Sequence, residues 1–422
     1  MPLRVLFVTT TYPLHPGDAI PGFVADLART LASHHEVRIK VLAPHHPGAA
    51  KCETMDGIEI ERFQYTLNPA HQCIAYGNGI PDNLRQIPRA NRQVPGFLIA
   101  MAAAVWKNLD STDLIHAHWV EPAFVASVAN FLQHKPLRKP LVMSVHSLNP
   151  KKSLLHKYTF SAADRVLFNS AYTMSQAHAK GYACKSDVIY QGYDDRLFGT
   201  LDRSGHLLKN ALGIPPDSLL VSAVGRMIDV KGFHILAEAA DAFLSGRPHV
   251  HLVFAGDGPS RPEIESIVAQ SPNRARIHFP GALHRQQVAR LLADSDIFVN
   301  PGVIDPNGRA EGLGITTIEA MATGLPVIGS RVGGISETIV DQLTGILVPP
   351  GDRNALSLAI GKLLDDPQMR AHMGQHGQSI AKQRFSWPAL ASEVMRVYSE
   401  LSPPPGVPGG GDRKFPLTLS IS

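Results

Sequence analysis

Three groups of residues in this 422-residue chain combine side-chain chemistry with informative spacing. The first is Gly225-Arg226-Met227-Ile228-Asp229-Val230-Lys231-Gly232, between a strand-like apolar run and a helix-like one. A guanidinium and an ammonium flanking a strand-to-helix turn can face one anion, and a diphosphate suits them. Free N–H groups at the helix start add to the same attraction. The alternative is two solvated cations at a turn. The second group runs from Glu311-Gly312-Leu313-Gly314 to Glu319 and Gly324. Glu311 falls in a loop, the two glycines let backbone approach a ligand closely, and Glu319 falls inside the helix that Gly324 stops. Carboxylates accept hydrogen bonds from hydroxyls, so this pair suits sugar and ribose hydroxyls better than a metal. The third is His146, at the end of the run Leu141–Val145, where ligand-facing residues of an open α/β sheet sit. A neutral imidazole there can donate to a hydroxyl or buffer developing charge; a structural histidine is the alternative.

Other patterns carry less. Asp294-Ser295-Asp296 has the D-x-D form of a metal site but ends a helix and begins a strand, so it reads as cap and turn chemistry. His116-Ala117-His118 and His45-His46 lack nearby carboxylate or cysteine partners, which argues against metal. Asp257-Gly258-Pro259 is a turn whose backbone lines a cleft at most. No G-x-S-x-G, G-x-x-x-x-G-K-[ST] or H-E-x-x-H occurs.

The elements that must position these residues alternate between strand and helix. Strands are predicted at Arg4–Thr10, Val37–Ala43, Asp113–His118, Leu141–His146, Arg165–Asn169 and Asp187–Tyr190. Helices between them fall at Phe23–Ala32, Pro95–Leu109, Pro122–Leu132 and Tyr172–Lys180. Such a rhythm means βαβ units and a parallel sheet. It restarts after about residue 205, with strands at Leu219–Val224, His251–Ala255, Arg276–Phe279, Ile297–Asn300 and Pro326–Gly329. Helices of this half are Phe233–Leu244, Glu263–Ala269, Gln287–Ala293, Thr317–Thr323 and Arg353–Leu364. Asp194 to Asn210 reads as a linker, and the chain after Leu401 as a flexible Pro/Gly-rich tail. The expectation is an α/β protein of two doubly wound domains that face each other across a cleft.

Composition agrees. Hydrophobic residues make up 44 % and charged residues 18 %, which excludes wholesale disorder. The longest apolar run, Gly96–Trp106, falls short of the ~20 residues that cross a bilayer. The N-terminal run resembles a signal peptide weakly and reads as a strand. Three scattered cysteines without C-x-x-C argue against a disulfide scaffold or structural zinc and point to a reducing cytosol. Residues 1–200 hold 20 Lys and Arg against 15 Asp and Glu, and the remainder holds 20 against 21. The mildly basic first half fits an anionic membrane or substrate; random imbalance is the alternative. Nothing in it resembles a nucleic-acid site.

Taken together, the turn Gly225-Arg226 to Lys231-Gly232, the Glu311–Glu319 pair with Glu-Ala-Met-Ala-Thr-Gly-Leu-Pro-Val-Ile, and Gly333-Gly334-Ile335-Ser336-Glu337-Thr338 resemble a GT4-type glycosyltransferase. So do Thr344–Asp352 and the hinge-like Val188–Asp194. The resemblance implies the GT-B fold, with two facing Rossmann-like domains and the active site between. It assigns 1–195 to an N-terminal acceptor-binding domain and 205–385 to a C-terminal nucleotide-sugar donor domain. Residues 386–401 become a helix crossing back to the first domain, with 402–422 as the tail. It implies hexosyl transfer from a nucleotide-sugar (UDP-, GDP- or ADP-linked) to an acceptor hydroxyl, with retained configuration and no metal or other cofactor. The acceptor would be a sugar, a lipid-linked sugar or a small molecule. Arg226 and Lys231 match the diphosphate-binding pair, and their charge would stabilise the leaving group. Glu311 and the amides of Gly312, Leu313 and Gly314 match contacts to the donor sugar. Glu319 matches the ribose contact and His146 the histidine near the reacting sugar, so His146 and Glu311 become the catalytic candidates. Cell-surface polysaccharide, glycolipid or glycoconjugate synthesis is the expected setting, in the cytoplasm or at the cytoplasmic membrane face.

The chain departs from this pattern in places. Asp18-Ala19 stands where the family often has Gly-Gly, Gln191-Gly192-Tyr193 replaces a more usual Asn-Gly-Val, and Ile304–Arg309 lengthens the loop before Glu311. Two rivals share the architecture: a nucleotide-sugar 2-epimerase, and a non-catalytic sugar-nucleotide binding protein.

Overall fold

The computed structural model describes residues 2–402 except 16–17, 19–21, 35–36, 78, 133–137, 149–151, 200, 202 and 204. The tail from residue 403 and Ala19 of the first loop thus lie outside the described residues.

The N-terminal sheet has eight strands: β1 (Leu3–Val8), β2 (Val37–Pro44), β3 (Cys52–Met55), β4 (Ile58–Phe63), β5 (Leu114–His118), β6 (Leu141–Val145), β7 (Arg165–Phe168) and β8 (Ser186–Val188). Their order is β3-β4-β2-β1-β5-β6-β7-β8, so the direction of winding reverses between β1 and β5. All pairings are parallel except the β3–β4 hairpin. The second sheet holds β9 (Leu219–Val224), β10 (Val250–Ala255), β11 (Ile277–Gly281), β12 (Ile297–Asn300), β13 (Val327–Ser330) and β14 (Gly345–Val348). It is wholly parallel in the order β11-β10-β9-β12-β13-β14 and reverses between β9 and β12. In both sheets a crevice opens beyond the strand ends at that reversal.

Burial on both faces explains the near-continuous apolar strands, such as the fully buried Val250–Ala255. In β1 the pleat sends Leu6 and Val8 to one core and Val5 and Phe7 to the other. The first core lies under the helices Pro88–Asn108 and Val120–Leu132, the second under Phe23–His34. That second core is completed from the far end of the chain. The helix Trp387–Leu401 buries Leu390, Ala391, Val394, Val397 and Tyr398 against Val24, Leu27 and Leu31. Tyr398 Oη also meets His116 Nδ1 at 2.5 Å. The crossing needs Gly192, since a Cβ there would lie 2.6 Å from the Trp387 ring.

Three differences from the sequence reading have local causes. The helix expected from Pro95 begins at Pro88, a proline in its first turn, and keeps Pro95 inside. The β3–β4 hairpin, absent from that reading, turns on Asp56-Gly57 with φ of 52° and 78°, a two-residue turn that suits the strand twist. The stretch read as a linker contains the short helices Asp195–Phe198 and Leu207–Ala211, and Phe198 is buried in the second domain's core.

The returning helix should therefore hold the first domain together. Leu390→Ala is expected to cost about 2–5 kcal/mol in urea unfolding, whereas Leu358→Ala, on an exposed side chain, stays within about 0.5 kcal/mol. Equal effects would mean that the crossing helix contributes little.

Candidate active site

After β9 the chain turns through Gly225, whose φ is 156°, and Lys231 lies over it, its Cε 3.3 Å from where a Cβ would stand. Gly232, at φ 63°, starts the helix Phe233–Leu244 and presses against the loop after β12, where a Cβ would meet the Pro301 carbonyl at 2.0 Å. Two distant loops are thereby brought together. Lys231 Nζ pairs with Glu311 Oε1, and Glu311 Oε2 accepts from Asn300 Nδ2 at 3.0 Å. The same Asn300 amide donates to Thr317 Oγ1 at 3.0 Å. Gly314, at φ 86°, opens the helix Ile315–Ala322, so the Glu311–Gly314 backbone runs into a helix N-terminus. Gly334 N donates to Glu311 O at 2.9 Å, and a Cβ at Gly334 would stand 2.0 Å from Gly312 O. The Gly333-Gly334 turn is therefore a brace under the loop. Leu313 points into the second domain's core, which leaves its backbone for the cleft.

Glu319 sits one helical layer below, buried. Burial pushes its carboxyl from 4.5 up to about 7; Arg285 opposes the rise, Asp26 and Asp194 add to it, and Lys231 opposes it. Arg285, from the helix Arg285–Asp294, donates to Asp26 Oδ2 at 2.9 Å across the cleft.

The opposite wall carries His146, one residue beyond β6. Its ring lies against Phe23 and Trp119, with centroids 4.7 and 4.9 Å away, and parallel to His118. The Gln191 amide donates to Nδ1 at 2.7 Å, so the neutral ring carries its proton on Nε2 and gives it to His118 Nδ1 at 3.2 Å. Burial lowers the His146 pKa to about 3, keeping the ring neutral. Both nitrogens are thus engaged within the first domain, and one partner must be released before the ring can bond a sugar hydroxyl. The His146 carbonyl faces the other wall: it accepts from Asn169 Nδ2 at 3.0 Å and stands 3.5 Å from where a Gly312 Cβ would be.

Lys231, Glu311 and the Gly312–Gly314 backbone therefore meet, with His146 opposite Gly312. Arg226 leaves the same turn as Lys231 but takes a different partner, Asp82 of the first domain, and is half exposed. Asp294 and Asp296 do cap and turn work: Asp294 accepts from the amides of Leu208 and Lys209, and Asp296 from that of Leu220.

Sequence reasoning missed Asn300, Gln191, His118 and Arg285, and it missed the interdomain role of Glu337. Glu337 accepts from the amides of Ala171 and Tyr172, at 2.8 and 2.7 Å, at the start of the first domain's helix Ala171–Ala179. Its place in Gly333-Gly334-Ile335-Ser336-Glu337 was the available signal. Two hollows flank the site. One of about 840 Å³ is lined by Tyr12, Asp26, Asp194, His284 and Arg285. One of about 280 Å³ is lined by Ser147, Tyr172, Gln176, Lys180, Arg309 and Gly312.

Comparison with known proteins fits this geometry. Residues 22–197 match the family model for Glycosyltransferase Family 4, and 206–380 match that for Glycosyl transferases group 1. The chain belongs to the GT4-type glycosyltransferases. It is 27 % identical over 409 residues to the GDP-mannose-dependent alpha-(1-6)-phosphatidylinositol monomannoside mannosyltransferase of Mycolicibacterium smegmatis, covering 94 % of this chain and 98 % of that one. To the alpha-D-kanosaminyltransferase of Streptomyces kanamyceticus it is 29 % identical over 305 residues, covering 68 % and 77 %. The Anabaena HepE structure in complex with UDP superposes with a TM-score of 0.70 at 22 % identity, covering 94 % of this chain and all of that one. The fold is GT-B, and this glycosyltransferase moves a sugar from a nucleotide-sugar.

Two outcomes follow for the glycosyltransferase. A carboxyl whose pKa is raised on folding takes up a proton, so its penalty is absent below about pH 4.5 and complete above about pH 7. Replacing it should relieve that penalty: the stability of Glu319→Gln relative to wild type is expected to grow by up to about 3 kcal/mol between pH 4.5 and 8 in urea titrations. A pH-independent difference would mean that Glu319 is ionised normally. Removing the Glu337 carboxylate from the helix start should open the cleft. X-ray scattering of Glu337→Ala is expected to give a larger radius of gyration than wild type, and an unchanged radius would show that this strap does not hold the domains.

Proposed function

We propose that this glycosyltransferase moves a hexosyl group to an acceptor hydroxyl with retained anomeric configuration and without a metal. The observation that carries the reading is the Lys231–Glu311 pair on a glycine loop at a helix N-terminus, facing His146 of the other domain. In this reading the donor diphosphate takes Lys231 and Arg226, and the positive charge answers what develops on the leaving oxygen. Glu311 and the Gly312–Gly314 amides hold the sugar hydroxyls, and Glu319 holds the ribose. The bond from the anomeric carbon to the diphosphate oxygen breaks. The acceptor hydroxyl attacks the same face, and its proton passes to the departing phosphate oxygen, so position and not a strong protein base directs the step. His146, neutral and clamped by Gln191, closes over the sugar. The 280 Å³ hollow beside Gly312 takes the acceptor.

The donor is UDP-, GDP- or ADP-linked; the Mycolicibacterium relative is GDP-mannose-dependent and the Anabaena neighbour binds UDP. A sugar or membrane-linked acceptor in cell-surface polysaccharide, glycolipid or glycoconjugate synthesis fits the basic first half, at the cytoplasmic face of the membrane. No described helix is long and apolar enough to cross a membrane.

Thermal shift against the three donor classes identifies the donor, because bound ligand raises the melting temperature. With that donor, Lys231→Ala and Glu311→Ala are each expected to lower turnover by about 100-fold or more, and His146→Ala by about tenfold or more. Near-wild-type rates in all three would refute the assignment. An epimer formed from donor alone would favour the epimerase, and tight nucleotide binding without turnover on any acceptor a binding protein.

A further inference from the structure

The helices Pro88–Asn108, Val120–Leu132 and Leu154–Ala162 form one outer layer of the first domain, the second packed between the other two. This layer carries eight of the twelve large apolar side chains that the described residues expose. They include Leu98, Ile99 and Trp106 on the first helix, Phe131 and Leu132 at the end of the second, and Leu154 on the third. On the first helix Arg92, Pro95, Ile99, Ala103 and Trp106 recur at three- and four-residue steps along the outward face. Its inward face buries Ala90, Phe97, Met101, Ala104 and Val105. A surface helix of a freely soluble domain carries polar residues outside; this one is apolar on both faces over its last three turns.

The charges around these side chains say what covers them. The three helices hold Arg89, Arg92, Lys107 and Lys157 against one acid, Glu121. Lys107 pairs with Glu61, while Arg89, Arg92 and Lys157 have no ion-pair partner among the described residues. A two-fold pairing of copies through this face would set one net-positive face, with four cations against one acid, upon another. An anionic surface with an apolar interior matches both features.

We propose that this three-helix layer docks the enzyme on an anionic lipid bilayer, with Arg89, Arg92 and Lys157 on the headgroups and Ile99, Trp106 and Leu154 in the boundary below them. Helices that follow parallel strands start at the strands' C-terminal ends, which face the cleft. Arg89, Arg92 and Leu154 lie in the first turns of their helices and so border the cleft rim. Docking brings a membrane-linked acceptor to the mouth of the site; this deepens the proposed function and rests on it only for that consequence.

The test is flotation of the full chain with vesicles of phosphatidylcholine alone or with about one third phosphatidylglycerol. Wild type is expected to bind the anionic vesicles at least about tenfold more tightly, and less so at high salt. Arg89→Glu with Arg92→Glu, and separately Ile99→Ser with Trp106→Ser, should each cut binding about tenfold or more. All four side chains are exposed and outside the site, so thermal stabilisation by the nucleotide-sugar should stay as in wild type and reports that the variants fold. Brominated lipid should quench wild-type fluorescence and lose that effect in Trp106→Phe, since Trp387 is buried in the core and Trp119 packs against Phe23 and His146. Failure to bind anionic vesicles, or equal binding by wild type and both double variants, overturns the proposal. So does a dimer in gel filtration that Ile99→Ser with Trp106→Ser dissociates. Vesicle binding without any donor binding would refute the proposed reaction and leave the surface standing.

Discussion

Lys231 and Glu311 stand eighty residues apart in sequence and meet with side chains only 16 % and 10 % exposed. Removing two charges from water costs about as much as their attraction returns, so such a pair adds little to folding, while losing one partner strands the other. The arrangement around the pair is built to tolerate it. Asn300 satisfies the second carboxylate oxygen, Gly225 makes room for the lysine stem, and Gly333-Gly334 supports the Glu311–Gly312 backbone from below. A donor that brings its own diphosphate and hydroxyls offers each member a new partner at the same moment. In the proposed reaction the charge pair is therefore a site kept ready at low folding cost, and the leaving group replaces one ion pair with another.

The other constraint is that the two walls belong to different domains. Arg226 reaches Asp82, Arg285 reaches Asp26, and Glu337 caps the helix Ala171–Ala179. Each strap starts on or beside an element of the candidate site: Arg226 on the lysine turn, Arg285 facing Glu319, and Glu337 just past the Gly333-Gly334 brace under Glu311. A change at the donor loop is thus felt directly at the domain interface. The helix Trp387–Leu401 acts differently. It buries apolar side chains in the first domain's core and so ties the chain across the hinge at Gly192 regardless of ligand.

Most of the architecture was legible because parallel strands buried on both faces read as near-continuous apolar runs, as in Leu219–Val224 and Val250–Ala255, each with a single polar residue. What escaped lacks that signal. The β3–β4 hairpin lies at the edge of its sheet and alternates polar residues, with Asp56-Gly57 as its one strong local mark. The helix Pro367–Arg384 buries little beyond Met373, Gly374, Gly377 and Ala381, so it shows no apolar stripe. In the site, Lys231, Glu311 and Glu319 stood out because each falls in a loop-to-helix setting that the chain itself displays. Their supports did not: Gln191, Asp26, Asp82 and Arg285 are ordinary residues whose positions matter only once the second domain is folded against the first. The engagement of both His146 nitrogens is likewise a tertiary fact, invisible in Leu141–His146.

The account turns on where the diphosphate binds. A crystal structure of the chain with its nucleotide-sugar tests this most directly. The account requires diphosphate oxygens on Lys231 Nζ, ribose hydroxyls on Glu319 and the sugar over Gly312–Gly314, with Glu311 released from the lysine to the sugar. A diphosphate seated elsewhere, with Lys231 still paired to Glu311, would contradict it.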